Sequence, residues 1–151
     1  MTGVQTCALP ICNRKDETAQ ALRGGWLYTG DIGEFDRDGY LFVRDRKKDM
    51  VIVGGYNVYP REIEDVLSAH AAVAEAAAVG TPDSYRGEIV RAYVVLRAAA
   101  TVSPEALLAH CAANLAKYKV PATLELVDAL PKTSVSKTDK QALRARARVR
   151  S

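Results

Sequence analysis

The chain has 151 residues, 48% of them apolar, enough for one cored domain or a small domain with part of another, so disorder is not the default. A net charge of +3 is too weak to argue by itself for nucleic acid or a membrane surface, and no apolar run reaches the length of a transmembrane helix. Cys7, Cys12 and Cys111 form no CxxC pair and no metal-ligand cluster with His70 and His110, and this sparse, odd count suits a reducing compartment.

In chain order, residues 1–12 lack a basic start and carry only a short apolar patch, which makes them a poor signal peptide. Asp16 to Leu22 reads as a short helix stopped by Gly24-Gly25, and Trp26 to Thr29 as a strand or turn. Ile32–Phe35 and Tyr40–Val43 read as strands joined through Asp36-Arg37-Asp38-Gly39, a hairpin signal. Met50–Val53 is a brief buried strand broken by Gly54-Gly55. Pro60 then opens an amphipathic helix with Ile63, Val66 and Leu67 on one face and Glu62, Glu64 and Asp65 suited to its positive end.

Val73–Val79 and Ile89–Leu96 are expected strands, with a turn at Gly80-Thr81-Pro82-Asp83 and a loop at 85–88. Ser103 caps a second helix whose apolar face is Leu107, Leu108, Cys111 and Leu115. Thr123–Val127 reads as a strand, Pro131–Lys137 as a polar loop, and Thr138 with Gln141 as the capping box of a last helix. That helix is basic, and as charge alone it reads as a solvated, fraying face rather than a nucleic-acid patch. Strand, helix, strand, strand, helix, strand, helix after Met50 predicts an α+β fold: a small domain with a mixed sheet and about three helices, preceded by a β-hairpin.

Four stretches carry chemistry. Tyr28-Thr29-Gly30-Asp31 sets a carboxylate on a tight turn, an arrangement able to hold two vicinal ribose hydroxyls as well as to be a plain turn. Asp45-Arg46-Lys47-Lys48-Asp49 packs five charges between a hairpin strand and an apolar strand, so it connects two folded pieces. Gly54-Gly55-Tyr56-Asn57-Val58-Tyr59-Pro60 is a strand–turn–helix link in which glycines let backbone approach a ligand closely. Pro131-Lys132-Thr133-Ser134-Val135-Ser136-Lys137 holds a lysine in a polar loop, where a lysine is ordinarily surface.

Taken together and in this order, these motifs resemble the C-terminal part of AMP-forming acyl-CoA synthetases of the adenylate-forming superfamily, over Asn13 to about Arg144. The resemblance implies that Asp31 binds ribose hydroxyls, Arg46 contacts the nucleotide, Lys48 is a hinge, Gly54 and Gly55 line a pantetheine tunnel, and Lys137 is the catalytic lysine that reaches the acid and the α-phosphate. It implies no protein-bound metal. It divides the chain into residues 1–12, which match nothing in the family and are expected to be foreign; 13–47, the tail of a large adenylation domain with its β-hairpin; and 48–151, a mobile lid.

The implied reaction is carboxylate + ATP + CoA to acyl-CoA + AMP + PPi through an acyl-AMP, with Mg2+ present. Gly-Gly-Tyr-Asn-Val-Tyr-Pro is similar to fatty-acid ligases. The implied partners are a small carboxylate, ATP and CoA, with no nucleic acid and no stable membrane insertion. The implied compartment is cytoplasmic, with peripheral membrane contact left open. The phosphate loop and acyl pocket of the family do not occur in this chain, so the chain alone is expected to be inactive. Two alternatives stand: a non-catalytic docking module, and the lid of an aryl-CoA ligase. Ser136 stands where the family has glycine, which puts delivery of Lys137 in question if that position needs positive φ.

Overall fold

The structure is a computed structural model and describes residues 13–149; the expectations for residues 1–12 lie outside them. The chain divides into two compact units, one ending at Asp31 and one beginning at Ile32.

In the first unit, helix α1 (Lys15–Ala21) leads into a small antiparallel hairpin of β1 (Leu22–Arg23) and β2 (Trp26–Leu27). Gly24-Gly25 therefore turns a hairpin rather than simply stopping the helix. Thr29 Oγ1 accepts from the Asp31 N–H at 3.1 Å, an ST-turn that closes the Tyr28–Asp31 tetrad.

The second unit opens with a hairpin of β3 (Asp31–Phe35) and β4 (Leu41–Arg46), whose turn is organised by Asp36 Oδ1 accepting from the N–H groups of Asp38 and Tyr40. A 3-10 turn at Lys47–Asp49 follows. β5 (Val51–Val53) and β6 (Tyr56–Val58) then pair antiparallel across Gly54-Gly55. The expected strand–turn–helix link is thus a two-residue hairpin. Gly54 and Gly55 have φ 55° and 87°, the left-handed pair that the right-handed twist of a hairpin selects.

Helix α2 (Pro60–Ser68) starts on its proline as expected. β7 (Val73–Asp83) and β8 (Gly87–Leu96) form the long central pair. β7 runs straight through the expected turn at 80–83. Gly80 is there for close approach: a Cβ would lie 2.8 Å from a Val51 methyl. The real turn is at Asp83, whose Oδ1 accepts from the N–H groups of Tyr85 and Arg86; those bonds hold its carboxyl below the usual carboxylate range.

Helix α3 (Pro104–Asn114) is capped by Ser103, β9 (Thr123–Leu126) runs parallel to β8, and α4 (Lys140–Val149) closes the described chain. Asp139, not Thr138, caps α4: its Oδ1 accepts from Gln141 and Ala142 N–H, a cap worth about 1 kcal/mol.

The sheet order is β6-β5-β8-β7. With β7 along one edge of β8, β5 and β9 share the other. Period-two alternation sorts the side chains of the central pair. Ala78, Val90, Ala92 and Val94 pack with Ile63, Leu67, Leu107 and Cys111 of α2 and α3. Ala77, Val79 and Tyr93 pack with Leu130 and with Leu143 of α4. Helices therefore cover both faces of a mixed sheet, the α+β architecture expected. Each fully buried Leu or Ile contributes roughly 1.5–3 kcal/mol. Burial also pushes the Cys111 thiol up and so keeps it protonated, a packing residue.

Candidate functional site

The second unit carries a cleft of about 570 Å³ where the 3-10 turn, the 131–139 loop and the first turns of α4 meet. Arg46, Lys48, Lys137, Lys140 and Arg144 line it, against the carboxylates Asp49 and Asp139. Three of the five residues expected in this unit's site (Arg46, Lys48 and Lys137) are thereby brought to one concavity. An excess of cations in a shared cleft attracts a polyanion.

Arg144 and Lys140 are held to carboxylates of the domain body. Arg144 Nη2 donates to Asp49 Oδ1 at 2.8 Å, and Lys140 pairs with Glu64 Oε1 at 2.8 Å. Glu64 also accepts from the Ala78 N–H on β7. Arg146, farther along α4, pairs with Glu125 on β9. The basic helix read as a solvated face is instead matched to carboxylates of the domain body. The ammonium groups of Lys48 and Lys137 are exposed and make no ion pair among the described residues.

The lysine loop is a tight hairpin. Lys132 bridges to Thr138, Thr133 N–H donates to Lys137 C=O at 2.7 Å, and Ser136 N–H donates to Thr133 C=O at 2.9 Å. Thr133 Oγ1 accepts from the Lys137 N–H at 3.3 Å. Ser136 follows the turn with φ 59°, the left-handed residue with which such loops return to the ladder. The positive φ in question at Ser136 is therefore present, and serine adopts it.

Lys48 lies in the exposed 3-10 turn, not within a strand. Asp45 before it is buried. Its carboxylate accepts from the Arg46 N–H at 2.7 Å and from the Arg61 N–H, in the first turn of α2, at 3.0 Å. Charge counting could not distinguish this buried carboxylate from its solvated neighbours, nor identify Asp49, Glu64 and Arg144 as a framework. The signal available was the acids in α2 and the 3-10 turn set against the bases in α4.

Gly54 and Gly55 lie at the other end of β5 from Lys48. Three residues separate the two ends, roughly 10 Å at ~3.3 Å per residue. The glycine turn is braced by Tyr56, whose ring stacks on Tyr118 with centroids 4.6 Å apart, and Gly54 N–H donates to Arg86 C=O. Asp31, at the end of the first unit, is exposed. Among the described residues no group of three or more His, Cys, Asp and Glu is arranged to hold a metal ion, and no helix is long and apolar enough to cross a membrane.

A mixed sheet covered by helices on both faces, with a cationic cleft and a glycine turn at opposite ends of one short strand, defines a small ligand-handling domain. The chain belongs to the family of AMP-binding enzyme C-terminal domains, whose model matches residues 62–137, about half of its length. It is 51% identical over 125 residues to the long-chain-fatty-acid–CoA ligase of Bacillus subtilis, covering 83% of this chain and 22% of that protein. It is 49% identical to the 2-succinylbenzoate–CoA ligase of a Geobacillus species, covering 83% and 25%. The ATP-bound structure of MatB from Rhodopseudomonas palustris superposes with a TM-score of 0.81 at 38% identity, covering 89% of this chain and 27% of that one. The chain spans about a quarter of the length of the curated relatives it matches.

Proposed function

We propose that the chain is the lid of an ATP-dependent, AMP-forming carboxylate–CoA ligase of the fatty-acid class, acting with a larger body that binds most of the ATP and the acid. The observation that carries this reading is the convergence of Arg46 and Lys48 with Lys137, which lies far from them in sequence, on one cationic cleft. In the first half-reaction a carboxylate oxygen attacks the α-phosphorus of ATP and the α–β phosphoanhydride bond breaks, releasing pyrophosphate and leaving acyl-AMP. Lys137 holds the acid and offsets charge on the phosphorus, Arg46 contacts the nucleotide, and Asp31 takes the ribose hydroxyls. Mg2+ bound to the ATP phosphates would moderate their charge, and no residue of this chain is assigned to hold it.

In the second half-reaction the CoA thiol loses its proton and attacks the acyl carbon, and AMP leaves. Before that attack, the pivot at Lys48, between residues 13–47 and the lid, exchanges one end of β5 for the other. It withdraws Lys137 and presents the Gly54-Gly55 turn to the pantetheine. The relatives act on acids as different as fatty acids and 2-succinylbenzoate at nearly equal identity. The acid class is therefore set in the body, and this lid supplies what the reactions share. The compartment of this reading is the cytoplasm, where ATP and CoA are available.

The test is to replace the matching stretch of the Bacillus subtilis ligase with residues 13–149. The expected outcome is ATP–pyrophosphate exchange and acyl-CoA formation with long-chain acids, and no exchange from the 151-residue chain alone. A chimera that folds but neither exchanges nor forms acyl-CoA overturns the reading.

A further inference from the structure

We propose that Asp49 and Arg144 are positioning residues for Lys137, joining the pivot to the helix behind the lysine loop so that both walls of the cationic cleft keep one spacing. The proposal rests on the reading of Lys137 as the adenylation lysine.

Among the described residues, the wall that carries Lys137 is tied to the sheet only at its start, where Leu130 is buried and Lys132 pairs with Glu75 on β7. From Thr133 to Lys137 its hydrogen bonds run within the loop, from Lys132 to Thr138 and from Thr133 to Ser136 and Lys137. The location of its far end, which carries Lys137, is therefore set by what it leads into, and three residues after Lys137 the chain is already α4. Leu143 anchors that helix to β7 and β8, but an apolar contact fixes its distance from the sheet better than its slide along it. The slide is fixed by directional contacts. Arg144, one turn into α4, donates to Asp49, and Lys140 pairs with Glu64.

Asp49 is the last residue of the 3-10 turn that holds Lys48, and its side chain is only 13% exposed. The Asp49–Arg144 bond thus closes a ring from Lys48 through α4 to Lys137, and that ring encloses the cleft. Arg144 itself lines the cleft with its charge already engaged by Asp49. It therefore acts as a strut rather than as a ligand for the reacting phosphate. Asp49 and Arg144 both lie beyond Lys48 and travel with the lid, so the pair persists when the pivot turns. Its effect on rate falls on the step that uses Lys137.

The experiment uses the chimera with the Bacillus subtilis body and separates the half-reactions. Adenylation is followed by ATP–pyrophosphate exchange, and thioester formation by conversion of preformed acyl-AMP with CoA. Displacement of a positioned group by about 1 Å costs up to ~100-fold. Asp49→Asn and Arg144→Gln should each lower exchange by about 10- to 100-fold, with thioester formation within about 3-fold of the parent chimera. The double variant should be no worse than the poorer single, as for two partners of one contact. Arg144→Lys, which keeps the charge but not the fork, should fall between.

Unchanged exchange in the single variants, additive losses in the double, or equal losses in both half-reactions with a lowered Tm would each overturn the proposal. If Asp49→Asn and Arg144→Gln do not fold, Arg144→Lys decides alone: a selective adenylation defect supports the strut, and equal loss of both steps or none rejects it. A parent chimera that shows no exchange overturns the assigned function instead, before any variant is made.

Discussion

The glycine turn between β5 and β6 and the lysine loop before α4 ask the backbone for the same thing and receive it from different residues. Gly54 and Gly55 take φ 55° and 87°, and Ser136 takes φ 59°. In the first turn the residue type removes the strain before folding begins. In the second a side chain with a Cβ is held left-handed by the Lys132–Thr138 bridge and the Thr133 hydrogen bonds around it. The two turns also differ in bracing. The glycine turn leans on a stacked Tyr56–Tyr118 pair and on Arg86, whereas the lysine loop is held by ion pairs, its own Lys132 with Glu75 and those of α4 behind it. The glycine turn thus keeps its shape by residue type, and the lysine loop by the bonds around it, with Lys137 exposed.

The largest expected effect divides the turns by function. Lys137→Ala in the chimera should lower ATP–pyrophosphate exchange by about 10²–10³-fold, the loss typical of removing one donor aimed at developing negative charge. Conversion of preformed acyl-AMP with CoA should stay near the parent rate. Equal loss of both half-reactions would mean that the loop and the glycine turn do not serve separate steps.

Next in size is a backbone test of the glycine turn. A Cβ at Gly55 would meet nothing within 4 Å, so Gly55→Ala introduces conformational strain without a clash. At φ 87° that strain costs about 1–2 kcal/mol, partly offset by the lower entropy of the unfolded chain. Urea unfolding of the 151-residue chain should show a lower midpoint at unchanged m-value. An unchanged midpoint would mean that the turn relaxes and that its left-handed pair is not a requirement.

Much of this was legible in the sequence, for reasons that name themselves residue by residue. Pro60 and Ser103 begin their helices because cap chemistry is local. The central strands were found but cut short, because Gly80 was read as a turn when its missing Cβ makes room for Val51, a contact between strands that no local pattern encodes. β6 was missed because Tyr56-Asn57-Val58 is too short to alternate visibly, although the glycine pair before it is itself a hairpin signal. Thr138 with Gln141 has the spacing of a capping box, but α4 begins at Lys140, which puts Asp139 at the cap. Arg46, Lys48 and Lys137 were each identified by the company they keep in sequence. That they share one cleft follows from α4 docking on the sheet, and that docking depends on Asp49, Glu64 and Arg144 finding partners across the fold.

The smallest expected effect runs the glycine substitution in reverse. Ser136 lies at φ 59°, close to the left-handed minimum near 57°, so its strain sits at the low end of the range for a residue with a Cβ. Ser136→Gly removes that strain but gives the unfolded chain more freedom to lose, roughly 0.5–1 kcal/mol. The two terms nearly cancel, and stability should rise by no more than about 0.5 kcal/mol. The catalytic consequence is the sharper readout, because the position of Lys137 depends on how fully the loop occupies this one conformation. If serine lets the loop sample others, glycine should raise exchange by about 2-fold and leave thioester formation alone. A fall in exchange would mean that the stiffer serine holds the loop better than glycine does, and the comparison between the two turns would reverse: the strained residue would be the one that positions the lysine.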